Sequence, residues 1–203
     1  MKRIMLFVMA ALLLTGCGKP ERNISAAVTE TCPVSAETTA TEETTFPVET
    51  DPSEERFLLT FAGDCTFGAS PSNYYAGVGF IKTVGEDYGY PFRNVLTYFT
   101  GDEATFVNLE GPLADSGNPM QKKHTFRGPT AYVQILTENS VEAVTLANNH
   151  SHDYGQRGYD STLETLRGAG VPFVERDGSC ILTTENGLKI GLYGAVYYDL
   201  DTD

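Results

Sequence analysis

Positive charge is in short supply in this sequence. Lys and Arg number 14 against 27 Asp and Glu, a formal net charge of −13. That balance excludes nucleic acid as the main partner, because phosphate binding is carried by Lys and Arg. It equally excludes electrostatic adhesion to an anionic bilayer. Cysteine is sparse as well, and four in 203 residues do not make a disulfide scaffold. The apolar run at residues 4–14 falls short of the ~20 residues a helix needs to cross a bilayer. There is no Gly-rich phosphate loop, no dinucleotide fingerprint and no Gly-x-Ser-x-Gly element. Histidine occurs only three times, at His124, His150 and His152. What is present is a set of 11 Phe and 11 Tyr, enough to bury, which excludes wholesale disorder. The length suits one domain with an ordinary core.

The amino end reads as a targeting segment followed by a tether. Met1-Lys2-Arg3 is a short basic start, and the apolar run after it has the length of a signal-peptide core. Leu14-Thr15-Gly16-Cys17 then resembles the lipobox of bacterial lipoproteins, in which the cysteine is lipidated and becomes the new amino terminus. The expectation is a signal peptide at 1–16, a lipid on Cys17 and a protein held on the extracytoplasmic face of a bacterial membrane. Residues 18–55 hold eight Thr, four Pro and nine Asp or Glu, with few large apolar side chains. Such a stretch cannot bury enough surface to offset its ordering entropy. The expected tether, 17–55, has a root-mean-square span of roughly 35 Å as a coil. Cys32, Cys65 and Cys180 remain; Cys65 and Cys180 read as buried thiols beside strands.

The folded part is expected over 56–203, with ten basic and eighteen acidic residues. Strands are predicted at 56–62, stopped by Gly63-Asp64, and at 104–109, 141–146 and 171–174. Helices are predicted at 90–99, with Pro91 near the start, at 130–138 and at 156–167. In the last of these Tyr159, Leu163 and Leu166 share one face, and Gly168 and Gly170 end it. Asn186-Gly187 predicts a hairpin joining 180–184 to 188–195. Strands alternating with helices predict an α/β sheet, with that hairpin near the end.

The polar residues fall at strand ends. Asp64 follows the first strand, Asn108 and Glu110 close the second, and Asn148, Asn149, His150, His152 and Asp153 follow the third. Ligands collect beyond the carboxyl ends of strands in open α/β sheets. Carboxylate oxygen with imidazole nitrogen suits Zn, Mn or Fe. A two-metal site of that kind can clamp a phosphoryl group. The basic cluster Lys122, Lys123, Arg127 reads either as a contact for an anionic polymer or phosphate, or as an exposed loop before a helix. Tyr74, Tyr75, Tyr88 and Tyr90 read as packing or as the lining of a sugar or peptide cleft.

Three segments carry a family resemblance: Phe61-Ala62-Gly63-Asp64, Val107-Asn108-Leu109-Glu110-Gly111-Pro112, and Leu146-Ala147-Asn148-Asn149-His150-Ser151-His152-Asp153-Tyr154-Gly155. They resemble the bacterial capsule-synthesis CapA family, also called the poly-γ-glutamate synthesis family. The resemblance implies the fold of calcineurin-like metallophosphatases, with this chain forming the amino-terminal part of an α-β-β-α sandwich. It implies Asp64, Glu110 aided by Asn108, and Asn149 as ligands of one or two divalent metal ions. It implies His150 as the group that steadies the reacting oxygen or protonates a leaving group, with Asp153 orienting it. His152 falls where the family varies. The implied partners are an anionic capsular polymer or its synthesis machinery. Family members carry later HWG-like and GHHPH-like segments that this sequence lacks. The expectation is therefore a C-terminally truncated chain. Three readings are open at this point: a membrane-tethered capsule-biosynthesis protein with a metallophosphatase-like site, a non-catalytic polymer-binding or assembly subunit, and an inactive fragment.

Overall fold

A computed structural model describes residues 12–13 and 56–196. The expected signal peptide, Cys17, the tether and the last seven residues otherwise lie outside the described residues. The chain divides into two units, Gly16–Arg56 and a second made of Met1–Thr15 with Phe57–Asp203. Every described strand and helix belongs to the second unit.

Four parallel strands form its central sheet in the order β2-β3-β4-β5, with β2 at Leu59–Cys65, β3 at Ala104–Leu109, β4 at Ala143–Thr145 and β5 at Phe173–Val174. Side chains alternate across the pleat, and the sequence uses both faces. Val107, Leu109, Val144 and Leu146 point into a helical layer, where Phe99, Ile135, Leu136, Leu163 and Leu166 meet them. Ala104, Phe106, Ala143 and Val174 point the other way, onto Ile190 and Leu192. These last two belong to a hairpin, β6 at Ser179–Thr183 and β7 at Lys189–Tyr193, antiparallel with Cys180 opposite Leu192 and Leu182 opposite Ile190. Gly187, at φ 87°, makes the turn as Asn186-Gly187 predicts. A further short strand, β1 at Leu12–Leu13, pairs antiparallel with Ile190 and Gly191 of β7. The α/β class and the hairpin near the end match the sequence reading.

Several boundaries differ from it. β2 does not stop at Gly63-Asp64 but runs through to Cys65, because a register shift between Phe61 and Asp64 absorbs the turn-forming pair as a bulge and leaves Asp64 opposite Asn108. The region 90–99 is helical only at α3, Leu96–Phe99. Val95 N–H donates to Phe92 O and Tyr98 N–H to Val95 O, four-residue turns that send both Phe92 and Phe99 into the core. Two short helices have no counterpart in the sequence reading: α1, Pro71–Ala76, and α2, Phe80–Val84. Ser70-Pro71 and Gly77 are the local signals for α1, with Pro at the start and a left-handed Gly77, φ 59°, at the end. The predicted 130–138 helix is a 3₁₀ turn, Thr130–Tyr132, running into α4, Val133–Thr137. α5, Gly155–Ala169, ends at Gly170, φ 71°.

At the amino ends of the strands, Asp102, Glu103, Glu142 and Glu185 line a cleft of about 560 Å³. Glu142 accepts the Thr105 backbone N–H at 2.5 Å, and Asp102 accepts the Thr105 hydroxyl at 2.8 Å. Burial, and secondarily the Asp102 charge, raise the Glu142 pKa above its ordinary 4.5, against the pull of the Thr105 bond. A raised carboxyl pKa means the folded state holds the proton more tightly than the unfolded chain. Its stabilising contribution is present below pH 4.5 and is lost as pH rises through the folded value. Glu142→Gln keeps the acceptor for Thr105 and removes the charge. Its melting temperature should exceed that of the unsubstituted protein at pH 7, with the gap closing below pH 4.5; equal melting curves at pH 7 would contradict this account.

Candidate functional site

The carboxyl ends of β2, β3 and β4 deliver Asp64, Asn108 and the 146–153 loop to one edge of the sheet. There the side chains interlock. Asn108 Nδ2 donates to Asp64 Oδ1 at 2.7 Å. Asn148 Nδ2 donates to Asn108 Oδ1 and to Leu109 O, both at 2.9 Å. Asn148 Oδ1 accepts the His150 backbone N–H at 2.9 Å and the Ser151 hydroxyl at 3.0 Å. An amide is required at 148, because only an amide both donates and accepts in this way. Asn108 and Asn148 are 4% and 2% exposed, so these bonds are made away from competing water.

A second network holds the histidine. Asp153 is fully buried, and its carboxylate accepts three donors. These are His150 Nδ1 at 2.8 Å, the Phe126 backbone N–H at 2.8 Å and Lys122 Nζ at 3.1 Å. Lys122 Nζ also donates to Asn149 O at 2.7 Å. The Phe126 ring lies 5.0 Å from the imidazole. As a carboxylate Asp153 only accepts, so Nδ1 carries the hydrogen and, in neutral His150, Nε2 is an acceptor. Nε2 faces Glu110 Oε1 at 3.8 Å, while Glu110 Oε2 accepts the Thr66 hydroxyl at 2.6 Å. Two acceptors therefore face each other across a gap that a proton on Nε2 or a cation would fill.

Asp64 and Glu110 share a neighbourhood through Cys65. Burial first, then the charges of Asp64 and Glu110, push the Cys65 thiol up to about 12. It stays protonated near neutrality and is no nucleophile there. Cys65 and Cys180 are free thiols and half-buried, not the fully buried thiols expected from the sequence.

The residues read from the sequence separate into distinct surroundings. Asp64, Asn108, Glu110, Asn149, His150 and Asp153 lie within the two networks or beside them. Asn149 Oδ1 is buried without a partner. Lys122 is spent on Asp153 and Asn149 rather than free on the surface, and Lys123 is exposed. Arg127 departs most from an exposed basic loop: it is 2% exposed, beneath Tyr74 and Tyr154. His152 stacks on Tyr159 at 4.1 Å, away from the His150 contacts. Sequence reasoning gave no role to Thr66 or Tyr154 and no particular one to Asn148; the doubled Asn148-Asn149 is the signal that could have found the last of these.

The donor set fits a divalent cation in chemistry, with two carboxylates, an imidazole nitrogen and an orphaned amide oxygen. Among the described residues, however, no three His, Cys, Asp or Glu side chains stand close enough to hold one.

An α/β domain whose parallel strands deliver carboxylate, amide and imidazole groups to one edge defines a class of ligand-handling domains. Within that class the chain belongs to the bacterial capsule synthesis protein PGA_cap family, whose model matches residues 58–201. It is similar to the capsule biosynthesis protein CapA of Bacillus anthracis, at 27% identity over 126 residues, covering 59% of this chain and 28% of that protein. The chain thus spans under a third of the length of that curated relative.

Asn148→Asp replaces two donated hydrogen bonds by a buried charge facing Asn108 Oδ1 and Leu109 O. It should cost about 3 kcal/mol or more in urea unfolding. A loss below about 1 kcal/mol would mean that the amide chain does not hold this edge together.

Proposed function

We propose that this domain is a capsule-polymer biosynthesis protein with a metallophosphatase-like site, in the amino-terminal part of an α-β-β-α sandwich. The layering supports that reading of the fold: helices on one face of the parallel sheet, a β-hairpin on the other. The observation that carries the functional reading is His150. Asp153 fixes its tautomer and aims Nε2 at Glu110, and the preceding residue, Asn149, carries a buried Oδ1 without a partner. Asp64, Glu110 and Asn149, with Asn108 bracing Asp64, are the residues that would hold one or two ions of Mn, Zn or Fe. The chemistry a metal would supply there is polarisation of a phosphoryl oxygen and a lowered pKa of water. His150 Nε2 would accept a proton from, or return one to, an oxygen of the substrate, and Asp153 would stabilise the imidazolium. Lys122 compensates the Asp153 charge and keeps the loop in register.

The amino end fits the same reading. Lipidation of Cys17, after loss of residues 1–16, and a tether over 17–55 would hold domain 56–203 off the outer face of the membrane. Cys17→Ser would then shift the protein from the membrane fraction to the soluble one.

A non-catalytic role in binding or assembling the polymer is the second reading. It is favoured by the lack of a group of three closely set acid, imidazole or thiol side chains among the described residues. The test uses the full chain. Mn and Zn titrations by calorimetry, with hydrolysis of bis(p-nitrophenyl) phosphate, should show metal binding that falls in Asp64→Ala. Turnover should drop ~10²-fold or more in His150→Ala. No metal binding and no turnover, with polymer binding intact in Asp64→Ala, would replace the first reading by the second.

A further inference from the structure

Arg127 is a buried cation without an anion. It is 2% exposed and has no ion pair among the described residues. Its Nη1 makes one long bond to Gly117 O at 3.4 Å, and Nε has no partner. The rings of Tyr74, Tyr154 and Tyr75 stand 4.2, 4.7 and 5.6 Å from the guanidinium carbon. Cation–π contact, worth about 2 kcal/mol per desolvated ring, offsets part of the several kcal/mol it costs to take a lone ion out of water, but a ring face accepts no hydrogen bond from Nε. Tyr154 adds a second deficit, for it is also 2% exposed and its hydroxyl has no partner. Burial raises the Tyr154 pKa despite the opposing pull of Arg127, so the hydroxyl remains a donor. Two buried donors thus belong to side chains that touch, guanidinium carbon to ring centre 4.7 Å, and neither has an acceptor. What satisfies both is an oxyanion, since a guanidinium edge and a phenol O–H can each take one of its oxygens.

We propose that Arg127 and Tyr154 form a subsite for a carboxylate or phosphate group of the ligand, with α1 as its cover. α1 supplies Tyr74 and Tyr75, buries no residue of its own, and leads into Gly77 and Gly79 at φ 59° and 64°. Tyr75 is 70% exposed. Arg127 Nε and the Tyr154 hydroxyl are closed to solvent in this arrangement, so the anion enters as α1 lifts away. The Ala69–Arg127 backbone pair, 3.1 Å in both directions, holds the near end of α1. Arg127 lines the same small hollow as Glu110 and Phe126. That hollow is too small for a ligand, but it sets Arg127 close to Glu110 of the proposed site, and to this extent the subsite rests on the reading above. It also gives an acidic domain a local means of engaging an anionic polymer.

The experiment separates this subsite from the metal chemistry. The full chain, treated with EDTA, is titrated calorimetrically with inorganic phosphate and, separately, with glutarate. One of the two should bind, and which one identifies the source of the oxyanion. Asp64→Ala should bind it as the unsubstituted protein does, even if metal binding is lost. Tyr154→Phe removes only an unpartnered hydroxyl; it should weaken binding about five- to tenfold with no loss of melting temperature. Arg127→Lys keeps the charge and loses the planar donor edge, and should weaken it further. Three results would each overturn the proposal: neither probe binding, binding unchanged in Tyr154→Phe, or binding abolished by Asp64→Ala.

Discussion

The buried carboxylate of Asp153 is the constraint on which this end of the molecule depends. A charge with no exposed surface persists only if its partners are fixed. Here they come from two directions in the chain: Lys122 and the Phe126 N–H from one segment, His150 from its own loop. Satisfying Asp153 therefore pins residues 122–126 against residues 149–153. It also sets where Arg127, the next residue, must lie. The tautomer of His150, the half-burial of Lys122 and the tilted contact of Phe126 with the imidazole are all consequences of one carboxylate seeking three donors.

The sheet supplies the platform for that arrangement. Its two faces are closed by different materials, helices on one and a hairpin on the other, and the period-two alternation of Phe106, Val107, Asn108 and Leu109 serves both. At the end of β3 the alternation hands over from packing to chemistry, with Asn108 bracing Asp64 and Glu110 facing His150. The cover is uneven at β2, an edge strand of this sheet, where Leu58 and Phe61 stay 59% and 49% exposed although Phe61 stacks on Phe106 at 5.1 Å. An edge strand with apolar side chains in solvent is a surface that proteins ordinarily cover or charge.

Much of this was legible in the residues. β3 matches its expected bounds to the residue, and the hairpin and α5 match to within a few positions, because buried runs, Asn-Gly and a helical stripe ended by glycine are strong local signals. Gly63-Asp64 misled, since turn chemistry and bulge chemistry use the same residues, and only pairing with β3 decides between them. The 90–99 segment misled because Phe92 and Phe99 satisfy a helical spacing that four-residue turns also satisfy once both rings are in the core. Arg127 misled most. A cation in a run with Lys122 and Lys123 reads as surface, and nothing local says that Tyr74, fifty-three positions earlier, covers it.

The α/β class, the order of the strands along the chain and the appearance of carboxylate, amide and imidazole groups at successive strand ends were all set by the residues in their linear order. These depend on composition, period and turn residues, which are properties of neighbours. The partner of each polar atom was not set until the chain had folded. Asn148 reaches Asn108 across 40 positions and Asn108 reaches Asp64 across 44. Which donor finds which acceptor over such separations is settled by how the strands register and what the interior excludes, and no local pattern encodes that.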